Sequence, residues 1–340
     1  MAKYFFIGGI NKGGAPRGGA EAKNQYLIKK LQSKYKDNIN YVDMTSSSLN
    51  LAIRYFRLIK GLIMHQHIVL SVASTALEKL AYLNFYLKSK NVTIFIIGGV
   101  VDQKLINPRM KKLFENADIA YAETKALAQS IQEKSSFINV KHLPNFKELI
   151  AFTPVEKSNQ DNTVKFVFLS RVHRDKGIFR AIEVIQHLNK SNNDKLFILD
   201  IYGPMDLSDK DKNVFDQLLN DQYIIYNGFI DLTEPEAYTL LSSYHFFLFL
   251  TNHPGEGFPG VLIDALHSGS IIIASDWRYN NEIVPEDNLL VDLESDYQVE
   301  IKNYINQILN LKEEEFQELV NRQQKLAEEY NIDNINFEIG

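Results

Sequence analysis

Two carboxylates, Glu256 and Asp264, stand with seven residues between them in G-E-G-F-P-G-V-L-I-D-A, Gly255–Ala265. A glycine–proline turn and an apolar run lie between them. Pro259 suits the first turn of a helix, where its missing N–H costs nothing. The helix then reads V-L-I-D-A-L-H-S and stops at Gly269. Glu256 therefore precedes the helix, and Asp264 sits in its second turn. The N–H groups of such a helix start, from Phe258 to Val261, form a place for an anion or a hydroxyl. Paired acids also serve glycoside hydrolysis, where the carboxyls lie roughly 5–9.5 Å apart. Eight residues of continuous helix span about 12 Å, so the arrangement suits two acids that grip two parts of one elongated ligand. A hydrogen-bonded structural acid is the other reading of Asp264.

A second constellation is cationic. S-R-V-H-R-D-K-G, Ser170–Gly177, follows an apolar run and precedes a helical pattern. Arg171, Arg174 and Lys176 then stand on a loop at the carboxyl end of a strand. A guanidinium fork and a mobile ammonium suit phosphate oxygens; a solvated basic loop is the alternative. G-G-A-P-R-G-G-A-E, Gly13–Glu21, opens the first helix, and its glycines would let backbone N–H groups approach an anion. It is neither a G-x-G-x-x-G sequence nor a Walker loop. No D-x-D-type acidic pair offers a place for a metal that bridges a diphosphate; P-M-D-L-S-D, Pro204–Asp209, is read as a chance match.

The elements that must position these residues are legible as short apolar runs between helix-length amphipathic stretches. Expected strands in the first half are Tyr4–Ile7, Ile39–Val42, Ile68–Leu70, Thr93–Ile97, Ile119–Tyr121 and Ile138–Lys141. Helical patterns such as Ala20–Leu31 and Thr75–Leu87 separate them. Pro144-Asn145 breaks the rhythm, and V-E-K-S-N-Q-D-N-T, Val155–Thr163, reads as a linker. The rhythm resumes at Val164, with strands expected at Leu196–Ile201, Tyr223–Tyr226, Phe246–Leu250, Ile271–Ala274 and Leu289–Val291. This predicts an α/β protein of two doubly wound, Rossmann-like domains in tandem, which place ligands at the carboxyl ends of strands and in the cleft between them. The expected division is residues 1–155, residues 156–325 and a tail, 326–340, that packs back on the first domain.

At this point the residues resemble a family, the retaining glycosyltransferases of family 4, which have the GT-B fold. E-G-F-P-G-V-L-I-D is similar to its E-x7-E motif, with Asp264 in place of the second Glu. S-R-V-H-R-D-K-G resembles its R-x4-K-G phosphate loop, and G-G-A-E, Gly18–Glu21, its glycine-rich first loop. A-D-I-A-Y-A-E-T (Ala117–Thr124), L-P-N (Leu143–Asn145) and S-G-S-I-I-I-A-S-D-W (Ser268–Trp277) add support. The resemblance implies two Rossmann-like domains facing across a cleft, the first binding the acceptor and the second a nucleotide-sugar. Arg171 and Lys176 would bind the diphosphate, Asp264 the ribose hydroxyls, and Glu256 the sugar near the reacting carbon. Gly257, Phe258, Pro259, Gly260 and Val261, with Gly18 and Gly19, would complete the donor site. The resemblance also implies a hexosyltransferase-type reaction that needs no metal and no other cofactor. The chain departs from the family twice. Asp264 is one methylene shorter than Glu, and I-I-G-G-V-V-D, Ile96–Asp102, lacks the His common there, leaving the Gly98-Gly99 backbone to face the sugar.

Composition bounds the partners. The 340 residues are 45% hydrophobic and 23% charged and contain no cysteine, which excludes disulfides, thiol nucleophiles and cysteine-ligated metals. The apolar start is too short for a signal peptide, and no run has the length of a membrane span; the expected location is cytoplasmic. Residues 1–150 hold 22 Lys and Arg against 10 Asp and Glu, a balance of +12, and the remainder is acidic enough to bring the chain to −5. L-A-I-R-Y-F-R-L-I-K-G-L-I-M, Leu51–Met64, sets Arg54, Arg57 and Lys60 among large apolar residues. It reads as a peripheral contact with an anionic membrane or as a core helix with a basic stripe. The expected partners are a nucleotide-sugar donor (UDP- or GDP-linked) and a glycan or lipid-linked acceptor in surface polysaccharide synthesis, with no nucleic acid. Two other readings stay open: a non-catalytic partner subunit of the same fold, and a nucleotide-sugar epimerase that would draw its acid and base from His65, His67, His173, His245, His253 and His267.

Overall fold

Each expected apolar run forms or overlaps a strand of one of two six-stranded parallel sheets. The computed structural model describes residues 3–11, 14, 16, 18–45, 51–135, 137, 139–191 and 194–339. Gly13, Ala15, Arg17 and Ile138 from the motifs above lie outside the described residues. The chain divides into two units: Met1–Glu148 with Pro254–Gly260 and Ile332–Gly340, and Leu149–His253 with Val261–Asn331.

In the first unit the strands are β1 (Tyr4–Gly8), β2 (Ile39–Asp43), β3 (His67–Ala73), β4 (Asn91–Ile97), β5 (Ile119–Ala122) and β6 (Val140–His142), in the order β2-β1-β3-β4-β5-β6. Helices α1 (Gly19–Tyr35), α2 (Leu51–Met64), α3 (Ser74–Leu80), α4 (Asn84–Leu87), α5 (Pro108–Glu115) and α6 (Lys125–Ser135) connect them. Parallel strands need such crossovers, and helices on both faces explain why the strands are apolar without alternation. β1 and β4 are buried along nearly their whole length. The C-terminal segment belongs to this core. Phe337 packs on Phe95, Tyr121 and Phe146, and the Ile332 amide donates to Lys147 O at 2.7 Å.

The second unit carries β7 (Thr163–Leu169), β8 (Leu196–Tyr202), β9 (Ile224–Gly228), β10 (Phe246–Phe249), β11 (Ile271–Ser275) and β12 (Leu289–Val291), in the order β12-β11-β10-β7-β8-β9. Its helices are α7 (Ile178–Ser191), α8 (Asp209–Leu218), α9 (Pro235–Leu241), α10 (Gly260–His267, its first residue counted with the first unit), α11 (Tyr297–Leu309) and α12 (Glu313–Ala327). The strand order reverses between β7 and β10, which is where open α/β sheets bind ligands at their carboxyl ends. The loops that leave β7 and β10 there are the cationic loop and the acidic stretch. Phe316, Leu319 and Val320 seat α12 in the core of this unit.

The polar stretch Val155–Thr163, expected as a linker, is partly interior. Asn159 is fully buried, and Lys157 is buried with Nζ donating to Tyr244 O and Gly269 O at 2.7 and 2.9 Å. Burial pulls the Lys157 ammonium down to about 7. Nearby, His245 Nδ1 accepts the Lys165 amide at 3.1 Å while Nε2–H donates to Ser158 O, with Asp161 Oδ2 at 3.2 Å. Protonating Nδ1 would lose the Lys165 bond. Burial first, then the Lys157 charge, lower the imidazole to about 4, although Ser158 and Asp161 oppose this. The unfolded chain takes up that proton near pH 6.5. Between about pH 6.5 and 4 the unfolded state therefore holds more protons, and stability falls as pH falls. Urea melts across this window should show the decline, and His245→Gln should flatten it. An equal slope in the variant assigns the decline to other groups.

Candidate functional site

Hydrogen bonds from the main chain build the cationic loop. The Ser170 amide donates to Tyr202 O, Val172 exchanges backbone bonds with Pro204 and Asp206, and the His173 side chain caps the turn Arg174–Lys176 by accepting the Asp175 amide at 3.1 Å. On the other side the Asn252 amide and the Thr251 hydroxyl donate to Asp175 O at 2.8 and 3.1 Å. Gly177 adopts φ +86°, and a Cβ there would stand 2.1 Å from Leu250 O. Only glycine allows this approach of the loop to the end of β10.

The structure separates the three cations that the sequence set together. Arg174 donates to Asp211 through Nε and Nη2 and lies over the Phe179 ring, 4.7 Å from its centroid. The Asp211 bond raises the guanidinium above its ordinary value and lowers the carboxylate. Arg171 makes a half-exposed pair with Asp206, Nη1 to Oδ2 at 2.9 Å, and Lys176 is half-buried beside Gly177. A further cation was not singled out by the sequence. Arg180, in the first turn of α7, donates to Leu250 O and Asn252 Oδ1 at 3.3 and 3.2 Å.

Glu256 precedes α10, as expected, and is 7% exposed. α10 begins at Gly260, immediately after the buried Pro259. Asp264 lies in its second turn, 1% exposed, with Oδ1 accepting the Tyr238 hydroxyl at 2.8 Å. This hydrogen bond from α9 is compatible with either reading of the acid, since it engages one carboxylate oxygen.

The stretch Pro254–Gly260 packs within the first unit. Glu123, at the end of β5, is the centre of that packing. Its Oε1 pairs with Lys23 Nζ at 2.6 Å, both side chains buried. Its Oε2 accepts the Gly98 and Phe258 amides at 3.3 and 3.4 Å. A Cβ on Gly257 would stand 2.8 Å from Oε2 and 2.9 Å from Gly98 C, so this close approach requires glycine. Asn145 Nδ2 donates to Phe258 O at 3.1 Å, and the Gly99 amide reaches Gly255 O at 3.4 Å. The Phe258 N–H, expected to face a ligand, is therefore directed to Glu123, and the Gly98 and Gly99 amides to protein oxygens. Glu123 and Asn145 lay inside quoted motifs without a role. Lys23 carried no signal beyond its place two residues after Glu21.

Gly18 and Gly19 start α1; among the described residues no side chain caps its first turn, and none lies within 4 Å of a Cβ on either glycine. His65 and His267 bond main-chain carbonyls, as His245 does, so three histidines serve local structure. Among the described residues no group of three or more His, Asp or Glu side chains gathers as for a metal ion.

Comparison with known proteins agrees with this architecture. The chain is 25% identical over 182 residues to an uncharacterized glycosyltransferase of Methanocaldococcus jannaschii; the match covers 51% of this chain and 45% of that protein. The fold is similar to that of Anabaena HepE in complex with UDP and glucose, with a TM-score of 0.68 at 14% identity, covering 99% of this chain and 97% of that one. It is also similar to the lipopolysaccharide outer core galactosyltransferase WaaB, with a TM-score of 0.63 at 14% identity, covering 98% of this chain and 100% of that one. These likenesses establish the GT-B fold. The family model described as glycosyl transferases group 1 matches residues 152–331, more than half of the chain. The protein is a member of the glycosyl transferases group 1, family 4.

Proposed function

We propose that this member is a retaining glycosyltransferase that moves a hexosyl-type sugar from a UDP- or GDP-linked donor to a glycan or lipid-linked acceptor. Surface polysaccharide or glycoconjugate synthesis is the setting this suits. The observation that carries the reading is the loop Arg171–Gly177, rigidly held at the carboxyl end of β7, where the strand order reverses. Charge builds on the leaving diphosphate as its bond to the anomeric carbon breaks. Fixed cations stabilise that charge, and Arg171 and Lys176 take this role without a metal. The UDP held by HepE makes UDP-sugars the first donors to try.

In the same reading Glu256 contacts the transferred sugar and Asp264 the ribose, with Gly257–Val261, Gly18 and Gly19 beside the donor, while the Phe258 amide and carbonyl, engaged by Glu123 and Asn145, hold that stretch in place. The Tyr238 hydroxyl holds one oxygen of Asp264 and so fixes the orientation of its carboxylate. A ribose contact is alike in ground and transition states and acts mainly on KM, whereas a carboxylate near developing positive charge acts on kcat. Glu256→Gln should lower kcat by about tenfold or more and leave UDP affinity near wild type. Asp264→Asn should raise the donor KM and weaken UDP binding in calorimetry. Loss of UDP binding in Glu256→Gln alone would reverse the two roles. An NMR spectrum of the product should show the donor's anomeric configuration; inversion excludes the retaining course.

A further inference from the structure

α2 turns only Leu58, Gly61 and Leu62 inward. A surface helix with so narrow a buried stripe ordinarily shows water a polar face. Here the opposite side carries Phe56, Ile63, Ile53 and Met64, exposed at 67%, 59%, 46% and 43%. Arg57 and Lys60, both exposed, lie among them. With 3.6 residues per turn these six share an arc of roughly 120°. No acidic residue occurs anywhere in the helix. Arg54, grouped with the two cations in the sequence, is not on this face; it is half-buried and donates to Met44 O at 3.1 Å. α4 packs against α2 and adds Phe85, 86% exposed. α2 thus packs on the core by a narrow stripe and leaves apolar as well as basic side chains to solvent.

We propose that this face of α2 docks on an anionic lipid bilayer, with the helix lying in the plane of the interface. The apolar side chains reach the acyl boundary, and Arg57 and Lys60 meet the headgroups, as amphipathic basic helices do. Charge chooses this occupant over a second copy of the chain. A two-fold contact through the face would set Arg57 and Lys60 against their own copies, with no acid on the helix to pair them. The balance of +12 over residues 1–150 adds attraction of the same sign.

The test is co-sedimentation of the intact protein with vesicles of phosphatidylcholine alone and of phosphatidylcholine with phosphatidylglycerol. Binding should require the anionic lipid and weaken at high salt, where headgroup charge is screened. Phe56→Ser with Ile63→Ser should weaken it by about 100-fold, from the apolar burial lost. Arg57→Glu with Lys60→Glu should weaken it by about tenfold or more. All four positions face solvent, so unchanged thermal midpoints should accompany the losses. Wild-type protein that stays in the supernatant with anionic vesicles overturns the proposal, as do variants that bind like wild type. A dimer in sedimentation velocity that Phe56→Ser with Ile63→Ser dissociates assigns the face to a second copy and overturns it too. Binding is scored without substrate, so its outcome is independent of the transfer reading.

Discussion

Arg171→Ala and Lys176→Ala each lower kcat/KM for the donor by about 10²–10³, the loss that follows removal of one charge-stabilising donor, and leave the fold intact. The shape of the loop comes largely from its main chain. Backbone bonds to residues 202–206, Thr251, Asn252 and the close approach of Gly177 to Leu250 O hold it. The one ion pair that Arg171 makes is half-exposed on both sides, and such pairs contribute about 0–1 kcal/mol. Truncation therefore removes charge from a loop that stays in place. Arg174→Ala is the internal comparison. Its guanidinium is engaged by Asp211 and stacked on Phe179, so its loss should reduce turnover far less. Donor-saturation kinetics of the three variants, with circular dichroism to confirm folding, decide the matter. Near wild-type turnover in both Arg171→Ala and Lys176→Ala would remove the phosphate assignment, and an equal loss in Arg174→Ala would remove the distinction among the cations.

Strands of this chain are readable because both faces of a parallel sheet are covered, so each becomes a short uninterrupted apolar run. The start of α10 is readable because Pro259 and Gly260 have few other uses before an apolar helical pattern. The cationic loop is readable for a similar reason: Lys176-Gly177 follows a strand and a glycine with positive φ marks the turn into α7. Burial of polar groups is not readable in this way. Lys157 and Asn159 sit in a stretch whose composition is that of a solvent-exposed linker, yet their partners, Tyr244, Gly269 and Leu311, are supplied by distant elements. The same limit applies to Asp264, where the sequence offers an acid in an apolar helix and the Tyr238 hydroxyl that satisfies it comes from α9. α2 is the reverse case. Its charges and apolar residues were visible, but which of them face water depends on how little of the helix the first unit covers.

Lys23→Met costs about 3–5 kcal/mol of stability, because it leaves the Glu123 carboxylate buried without its counter-charge. That is a large share of the 5–15 kcal/mol typical of a folded protein. Lys23 and Glu123 stand 100 residues apart in sequence and meet at 2.6 Å in the interior. Two backbone N–H groups, of Gly98 and Phe258, complete the environment of the acid. Replacing both charges should be milder than replacing one, since a neutral pair of similar volume carries no stranded charge; a double-mutant cycle with Glu123→Gln measures the coupling. The pair also has a functional consequence. Glu123 holds the Phe258 amide, two residues after Glu256, and Asn145 holds the Phe258 carbonyl. Glu123→Gln keeps the volume but weakens the acceptor on that amide, so the stretch around Glu256 loses part of its fixed geometry. Positioning of this kind acts on kcat more than on nucleotide affinity. The expected result is a kcat reduced several-fold in Glu123→Gln at a temperature where the variant is folded, with UDP affinity unchanged. If Lys23→Met melts like wild type, the two charges do not depend on each other in the folded protein. If Glu123→Gln turns over at the wild-type rate, the pair serves the fold of the first unit and not the reaction.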